Sequence, residues 1–268
     1  MIHPTAVVDA RAELGPGVQV LPHAVIGPEA RLGEGVEVGA HAVIEGRVTV
    51  GAGARIGAGA VLGGAPQDLK YREDTVSGIV IGEGTVLREH VTVHRAARPG
   101  GDTRIGRHCL LMAGCHVGHD CVVGDHVVLI NAALLAGHVL VEDRVTVGGG
   151  AGVGQFLRIG TYAFLGGNAG LNQDLPPFIM ARDLPARAYA VNVIGMRRGG
   201  IEPGDRRRVQ EAFRILYRSG LGPRAARARL KAELGGHPLV DRLLAFIEGS
   251  RAGIVKGSRR AAREEEAP

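Results

Sequence analysis

A branched aliphatic side chain occupies every sixth position across the first 62 residues, without exception. A small apolar residue lies four positions after each of the first ten. A period of six fits neither the 3.6-residue period of an amphipathic helix nor the two-residue alternation of a half-exposed strand. It is typical of a hexapeptide parallel β-helix, a triangular prism of short strands with eighteen residues in each coil. The aliphatic positions are Ile2, Val8, Leu14, Val20, Ile26, Leu32, Val38, Ile44, Val50, Ile56 and Leu62.

The same period resumes in a new phase at Ile81 and runs to Leu171, with a break at Pro99. The two runs cover about 160 residues and predict roughly nine coils. Only 3% of the residues are aromatic and Trp is absent. The expected core is therefore a stacked ladder of Ile, Val, Leu and Ala, each worth about 1.5–3 kcal/mol when buried. Two segments outside the period, near residues 63–78 and 94–104, are expected to leave the prism as loops, where binding groups are often found.

The six-residue period ends near Asn172, and the sequence from Gly200 onward has a pattern typical of helices. Residues 203–220, 223–235 and 238–249 each begin near Pro and end near Gly, the usual asymmetry of helices. From Gly200 onward there are 15 Lys and Arg against 9 Asp and Glu, so the basic character of the chain lies in this part. The predicted fold is mainly β. It comprises a left-handed parallel β-helix over residues 1–190, a small C-terminal α-helical domain over 191–258 and a disordered tail over 259–268.

No charged leader with an apolar run opens the chain, and no apolar stretch reaches the roughly 18 residues needed to cross a bilayer. We therefore expect a cytoplasmic protein without a membrane span. Cys109, Cys115 and Cys121 occupy the small inward positions of successive hexads, and the chain has no CxxC motif. They are interpreted as core residues in a reducing compartment, and neither a disulfide framework nor a zinc site is indicated.

Residues eighteen apart should stack one rung, about 4.8 Å, apart on the prism wall. This spacing places His119 on Gly137 and Gly137 on Gln155. It also places Asp120 on His138. A His beside a carboxylate is a candidate general base, because the acid holds the imidazole in one tautomer and supports the cation that forms. Since the N–H of a nearby Gly can stabilise an oxyanion, this stretch of wall is a candidate active site.

Other interpretations of the histidines remain open. A zinc site is one, because β-helices of the γ-carbonic-anhydrase type hold zinc with His ligands borrowed across a subunit boundary. His116, His119 and His138 are the residues for it, although Asp120 directly after His119 favours an acid/base pair. A non-catalytic scaffold is another, but it leaves the polar wall unexplained. Several further histidines fall at hexad corners and are expected to be solvated, namely His23, His41, His90, His108 and His126.

Several motifs together resemble those of the bacterial UDP-N-acetylglucosamine O-acyltransferases. Hexads alone are shared by many acyltransferases, whereas the loop around Lys70 combined with the block from His116 to Cys121 is specific. The resemblance covers nearly the whole chain. The matching segments are Gln67-Asp68-Leu69-Lys70-Tyr71, Val91-Thr92-Val93-His94-Arg95, His116 through Cys121, Leu135-Ala136-Gly137-His138-Val139, Gln155-Phe156, Asp174-Leu175-Pro176-Pro177, Asn192 with Arg197-Arg198, and Ile215-Leu216-Tyr217-Arg218-Ser219-Gly220.

The resemblance implies an activity and its partners. These enzymes open lipid A synthesis by moving an (R)-3-hydroxyacyl chain from acyl carrier protein to the glucosamine 3-hydroxyl of UDP-N-acetylglucosamine. A homotrimer with sites between subunits is implied, as is a basic helical domain that receives the acidic carrier protein. The resemblance implies no metal, no diffusible cofactor and no nucleic-acid partner.

The resemblance also implies residue roles. His119 is expected to be the general base, Asp120 its orienting partner and the backbone N–H of Gly137 the oxyanion donor. Gly167 stands where similar enzymes stop the acyl chain, and the lack of a side chain there favours longer donors. The residues implied in holding the sugar, its phosphates and the nucleotide are Gln67, Asp68, Lys70, His94, His116, His138, Gln155, Asn192 and Arg198.

Two positions depart from the family pattern. Gly154 stands where the family commonly has His, and Ile194 where it commonly has an acidic residue. These positions bear on the contacts with the acyl group and with the nucleotide. An enzyme that acylates a 3-amino sugar nucleotide remains an alternative, as does the N-acyltransferase of the same pathway. The latter usually carries a separate N-terminal domain, whereas here the hexads begin at Ile2.

Overall fold

The computed structural model describes residues 1–258, which form 27 strands and four helices. Most strands are two residues long, as short sides of a prism require. They are β1 Val7–Val8, β2 Glu13–Leu14, β3 Gln19–Val20, β4 Val25–Ile26, β5 Ala30–Leu32, β6 Glu37–Val38, β7 Val43–Ile44, β8 Arg47–Val50, β9 Arg55–Ile56, β10 Val61–Gly64, β11 Gly78–Ile81, β12 Val86–Leu87, β13 Thr92–His94, β14 Asp102–Ile105, β15 Leu110–Leu111, β16 His116–Val117, β17 Val122–Val123, β18 Val128–Leu129, β19 Leu134–Leu135, β20 Leu140–Val141, β21 Thr146–Val147, β22 Gly152–Val153, β23 Arg158–Ile159, β24 Phe164–Leu165, β25 Gly170–Leu171, β26 Ile179–Arg182 and β27 Arg187–Val191.

These strands build a left-handed parallel β-helix with three faces, which confirms the fold expected from the six-residue period. Face 1 contains every third strand from β1 to β25, face 2 every third strand from β2 to β23, and face 3 the series from β3 to β24 with β26 and β27. In coils without an excursion, neighbouring strands pair eighteen residues apart, as Val7 does with Val25 and His116 with Leu134. Among the strands of residues 1–258, only β26 and β27 pair antiparallel, at the C-terminal end of the prism.

Two excursions leave the prism where the chain passes from face 1 to face 2. The first excursion, residues 65–77, separates β10 from β11, and the second excursion, residues 95–101, separates β13 from β14. The ladder closes around both, because Val61 pairs with Thr92 and Ile79 with Thr103. The turn after β16, which carries His119, belongs to the same corner of the prism.

The inward residue of each strand lies in one continuous apolar core that extends along the prism. Leu111, Leu129 and Leu135 are fully buried examples. The three cysteines lie in this core as free thiols, so their interpretation as small core residues is confirmed. Burial raises the pKa of the Cys109 thiol to about 11 and that of Cys121 to about 12. All three thiols therefore stay protonated at neutral pH, as inert core groups do.

The corner histidines are exposed, as expected, and the structure explains why they recur. The five histidines predicted to be solvated all have φ between 53° and 59°, in the left-handed region. Each coil must bend sharply at its corners, and His tolerates this conformation better than most residues with a side chain. The prism therefore accounts for these histidines without a ligand.

The C-terminal part begins with a short helix that the sequence pattern did not predict, α1 Val193–Arg198. The three predicted helices follow as α2 Pro203–Tyr217, α3 Pro223–Leu234 and α4 Pro238–Glu248, each with Pro at its start. They share a small core of their own. The chain then returns to the prism, where Asp174 pairs with Ile254 and Ala188 with Gly257. The tail predicted to be disordered, 259–268, lies outside the described residues.

No helix within residues 1–258 has the length and apolarity that a bilayer-spanning segment requires.

The ladder predicts how the core responds to truncation. Leu129→Ala removes a side chain with no exposed surface, and the cavity left in a close-packed core should lower the free energy of unfolding by about 2–5 kcal/mol. Urea unfolding at one fixed protein concentration measures it. Leu21, which is 48% exposed, provides the matched control, and Leu21→Ala should change the midpoint little. Equal losses in the two variants would contradict a core carried by the inward ladder.

Candidate active site

A cavity of about 630 Å³ lies on the outer surface of face 1, beside the corner that carries His119. Its floor is the outward surface of β16, β19 and β22, with Leu134 and Gly152 among the lining residues. The first excursion reaches its rim. Six of the residues predicted for the site line it together, namely Gln67, His94, His116, His119, Gly137 and Gln155.

His119 and Asp120 form a buried pair. Nδ1 of His119 lies 2.9 Å from Oδ2 of Asp120, and the two side chains are only 7% and 3% exposed. A carboxylate can only accept, so Nδ1 carries the proton and Nε2 is left with its lone pair. The pair thus has the hydrogen-bonding arrangement of an oriented general base.

The Asp120 carboxylate is held from several sides. Its Oδ2 also accepts the backbone N–H of Ala97 at 2.9 Å, and Nε of Arg98 lies 3.5 Å from Oδ1. Burial alone raises the pKa of this carboxyl, but the hydrogen bonds from His119 and Ala97 and the nearby His138 outweigh it and leave the pKa below its usual value. Asp120 is therefore ionised at neutral pH, as an acceptor for His119 must be.

Gly137 lies directly against the imidazole of His119. A methyl group at Gly137 would lie 2.5 Å from Nε2. Within residues 1–258 the Gly137 N–H makes no hydrogen bond, although its carbonyl accepts from Phe156. The position thus offers a backbone donor beside the free nitrogen of the base, and only a residue without a side chain fits there.

His94 and His116 form a second pair on the cavity wall, with their rings edge to face at 4.7 Å. Nδ1 of His116 lies 2.8 Å from Oγ1 of Thr92. Burial lowers the pKa of His94 to about 4, helped by the neighbouring His116 and His119, and burial also lowers the pKa of His116. Both rings are therefore neutral at pH 7. Nδ1 of His116 is bonded to Thr92 and Nδ1 of His94 is buried, so each ring has only Nε2 left to donate to or accept from a polar ligand.

His138 lies behind the catalytic pair. Its ring meets that of His119 edge to face at 4.9 Å, and its Nε2 is 3.9 Å from Asp120. Phe156 stacks on its other side at 4.6 Å, with a φ of 63° that is unusual for an aromatic residue. Phe156 is thus a part of the site for which the sequence assigned no role, and its adjacency to Gln155 was the available signal.

The predicted loop residues lie on the first excursion. Asp68 accepts the backbone N–H of Lys70 at 2.9 Å in a tight local turn. Lys70 is exposed and is not among the residues lining the cavity. Tyr71 is fixed by Arg95, which donates to its hydroxyl at 2.8 Å. The role of Lys70 in holding phosphates stays a prediction.

Asn192, Arg198 and Gly167 also lie outside the cavity lining, as Asp68, Lys70, Asp120 and His138 do. Asn192 caps α1 by accepting the N–H of Gly195 at 2.9 Å, and its amide donates to the carbonyl of Tyr162. Arg198 is exposed in the last turn of α1. Gly167 lies at the opposite edge of face 1, exposed in the turn before β25. Their proposed roles stay predictions, and for Asn192 the structure adds a local one.

The donor set does not match the three histidines considered for zinc. Within residues 1–258, the cluster with ligand atoms close enough to share an ion is His119, Asp120 and His138, which lie within 4.8 Å of one another. His116 lies outside this cluster and is bonded to Thr92 instead. The Asp120 oxygen in the cluster already accepts two N–H groups, the arrangement of an acid/base pair.

Comparison with known proteins supports the motif analysis. Residues 174–255 match the family model described as UDP-N-acetylglucosamine O-acyltransferase, domain 2, and residues 29–64 and 102–129 match the bacterial transferase hexapeptide model. An acyl-(acyl-carrier-protein)–UDP-N-acetylglucosamine O-acyltransferase of Anaeromyxobacter sp. (strain K) is 47% identical over 95% of this chain and 99% of its own. One from Paraburkholderia xenovorans is 43% identical with the same coverage.

Solved structures agree with these relatives. The Acinetobacter baumannii LpxA superposes with a TM-score of 0.89 at 36% identity, covering 95% of this chain and 99% of that chain. The UDP-N-acetylglucosamine acyltransferase of Bacteroides fragilis gives 0.92 at 32% identity, covering 96% and 100%. The hexad prism and the cavity beside His119 agree with these similarities. The chain belongs to the acyl carrier protein-dependent UDP-N-acetylglucosamine O-acyltransferases, as its motifs predicted.

Proposed function

We propose that this protein transfers an (R)-3-hydroxyacyl chain from acyl carrier protein to the glucosamine 3-hydroxyl of UDP-N-acetylglucosamine, the first step of lipid A synthesis. Family membership supports the reaction. The observation that carries the chemistry is the buried His119–Asp120 pair, with its hydrogen bond of 2.9 Å and its Nε2 beside Gly137. General-base and oxyanion groups thus meet at one point of the cavity wall.

The reaction follows from this geometry. Nε2 of His119 takes the proton of the sugar 3-hydroxyl while that oxygen attacks the thioester carbonyl. The N–H of Gly137 donates to the oxyanion that develops. Collapse of the tetrahedral intermediate breaks the C–S bond, and the imidazolium returns its proton to the departing thiolate of the carrier. Asp120, kept ionised by its donors, stabilises the imidazolium during the step.

The remaining cavity residues hold the acceptor substrate. His94, His116 and Gln155 supply neutral hydrogen-bonding groups along the wall, which suits the hydroxyl and amide groups of the sugar. We assign the diphosphate to Lys70, which lies on the same loop as Gln67 and Asp68. His138 packs behind the base. Asn192 caps α1 and Arg198 lies in its last turn. Both would contact the nucleotide of a substrate bound across a subunit boundary.

The partners follow from the same assignment. The sites lie between subunits of a cytoplasmic homotrimer, and the basic α2–α4 region receives the acidic carrier protein by charge complementarity. No metal and no diffusible cofactor takes part, because acyl transfer from a thioester needs only a base, an oxyanion donor and positioning. At Gly154 an added Cβ would lie 3.3 Å from both the Leu157 side chain and the Leu171 carbonyl, so the main chain is closely packed there.

Loss of the base is the first test. His119→Ala should lower turnover by roughly 10²–10⁴ while the assembly stays intact, because the proton of the acceptor hydroxyl then has no acceptor. Steady-state transfer, followed by mass spectrometry of the sugar nucleotide, measures it. His126 is an exposed corner histidine, and His126→Ala should turn over like the wild type. Wild-type turnover in His119→Ala, with chemistry rate-limiting, would remove His119 from the mechanism.

A single methyl group at Gly137 should also slow the reaction strongly. The new Cβ would lie 2.5 Å from Nε2 of His119, so the imidazole must move, and a displacement of about 1 Å can cost about 10²-fold in rate. We expect Gly137→Ala to lose turnover by that order with little loss of thermal stability. Gly152 lines the same cavity with no atom within 4 Å of its added Cβ. Gly152→Ala should stay within a few-fold of wild type, and equal kinetics in both variants would refute the steric argument.

The length of the donor chain is tested at Gly167. Its added Cβ would have one atom within 4 Å, the Gly149 carbonyl oxygen at 3.3 Å, so a longer side chain at this edge of face 1 would extend outward from the prism. Gly167→Met should shift the preference toward shorter hydroxyacyl donors, since each excluded methylene is worth roughly 0.8 kcal/mol of burial. Competition between long and short donors gives the ratio. An unchanged product ratio would place the length stop elsewhere on the wall.

A further inference from the structure

We infer that the second excursion, together with β14 that follows it, positions this active site: Ala97 of the excursion and Thr103 of β14 hold the catalytic Asp120, and Arg95 holds the loop that carries Lys70. The inference rests on the proposed function for its kinetic readouts. Residues in this role act through others and touch no substrate themselves.

The first part concerns Asp120. It lies at a prism corner with φ of 58°, a conformation in which Asp, Asn and His are enriched among the residues that carry a side chain. Its backbone N–H donates to Oγ1 of Thr103 at 2.9 Å, and its Oδ2 accepts from Ala97 at 2.9 Å. Thr103 is itself fully buried. Both the main chain and the carboxylate of Asp120 are thus set by residues of the second excursion and of β14 that follows it.

The second part concerns the loop. Nε of Arg95 donates to the hydroxyl of Tyr71 at 2.8 Å, and Nη1 donates to the carbonyl of Gly63 at 2.8 Å. The guanidinium also lies over the Tyr71 ring, 5.5 Å from its centre. Tyr71 directly follows Lys70. Arg95 therefore fixes the part of the first excursion that carries Lys70.

The excursion itself is anchored, which makes it a rigid support. Ser77 donates its hydroxyl to the Ala96 carbonyl at 2.5 Å, and Gly100 donates its N–H to the Val76 carbonyl at 2.7 Å. Arg47 bonds Asp102 at 2.8 Å and the Gly101 carbonyl at 3.2 Å. The end of the first excursion and the second excursion therefore form one hydrogen-bonded unit. This unit connects the loop that carries Lys70 with the Asp120 carboxylate.

The two arms predict a split between kcat and KM. Thr103→Val is nearly isosteric but leaves the Asp120 N–H without its acceptor, and kcat should fall at least ten-fold with the KM for UDP-N-acetylglucosamine within two-fold. Thr103→Ser keeps the hydroxyl and should restore kcat to within about three-fold of wild type. Arg95→Leu should raise that KM about ten-fold and leave kcat within about three-fold. Arg104 lies in β14 beside Thr103, but its side chain is exposed and donates to Asp102, so Arg104→Ala is the matched control and should behave as wild type.

A measurement independent of turnover accompanies the kinetics. Deuterium exchange followed by mass spectrometry should find the Asp120 amide protected in the wild type and in Thr103→Ser, and exchanging at least ten-fold faster in Thr103→Val. If the wild type transfers no acyl group, the proposed function is wrong, but the exchange result still tests whether Thr103 positions Asp120. Wild-type kinetics and exchange in Thr103→Val, or an equal loss in Thr103→Val and Thr103→Ser, would overturn the inference.

A third residue keeps the test decisive if Thr103→Val does not fold. Arg98 is 70% exposed, and its Nε lies 3.5 Å from Oδ1 of Asp120, so its removal should spare the fold. The other charged or titratable groups facing Asp120 are His119 and His138. Because an exposed ion pair is worth at most about 1 kcal/mol, Arg98→Ala should lower kcat by about two- to five-fold, and Arg98→Lys should restore it. A wild-type kcat in Arg98→Ala would contradict a positioning role for the second excursion.

Discussion

The hydrogen-bond ladder between successive coils is the constraint on which this molecule depends. Because strands pair eighteen residues apart, every side chain has a fixed neighbour one rung above and below. At the site, the His138 N–H donates to the His119 carbonyl at 2.9 Å, and the Phe156 N–H donates to the Gly137 carbonyl at 3.2 Å. Those bonds place Gly137 against the His119 ring without any local adjustment. A base and an oxyanion donor are thereby held by the scaffold, and the cost of orienting them is met during folding.

The corner of the prism adds a second condition. Asp120 can reach His119 because it occupies the left-handed position of its turn, where its carboxylate folds back over the neighbouring imidazole. A buried carboxylate needs more than one donor to stay ionised, and the prism alone supplies only the histidines. Ala97 and Arg98 come from outside the regular coils. The reactive geometry thus combines a repetitive wall with one irregular segment that leaves the wall at the same corner.

This division explains what the sequence could predict. The prism, the buried cysteines, the solvated corner histidines and the stack of His119 with Gly137 all follow from the period, since a repeat specifies neighbours without coordinates. The contacts of Ala97, Thr103 and Arg95 lie in or beside an excursion, where no period relates sequence position to space. Asn192 was assigned to the nucleotide from resemblance, and its capping of α1 was missed because that helix is one turn and a half of unpatterned sequence. Phe156 was recognised as part of a motif, but its stacking on His138 could be seen only in the structure.

The identity of the acceptor atom is the sharpest test of the account. The site offers an imidazole whose Nδ1 is hydrogen-bonded to an ionised carboxylate and whose Nε2 faces Gly137, which is the arrangement for deprotonating a hydroxyl. Wild-type protein should be incubated with (R)-3-hydroxyacyl carrier proteins and an equal mixture of UDP-N-acetylglucosamine and its 3-amino analogue, with mass spectrometry of the products before and after mild alkali. The account predicts an alkali-labile ester on the 3-hydroxyl of UDP-N-acetylglucosamine. Alkali-stable amide on the amino analogue alone, or no acyl transfer to either nucleotide, would contradict it.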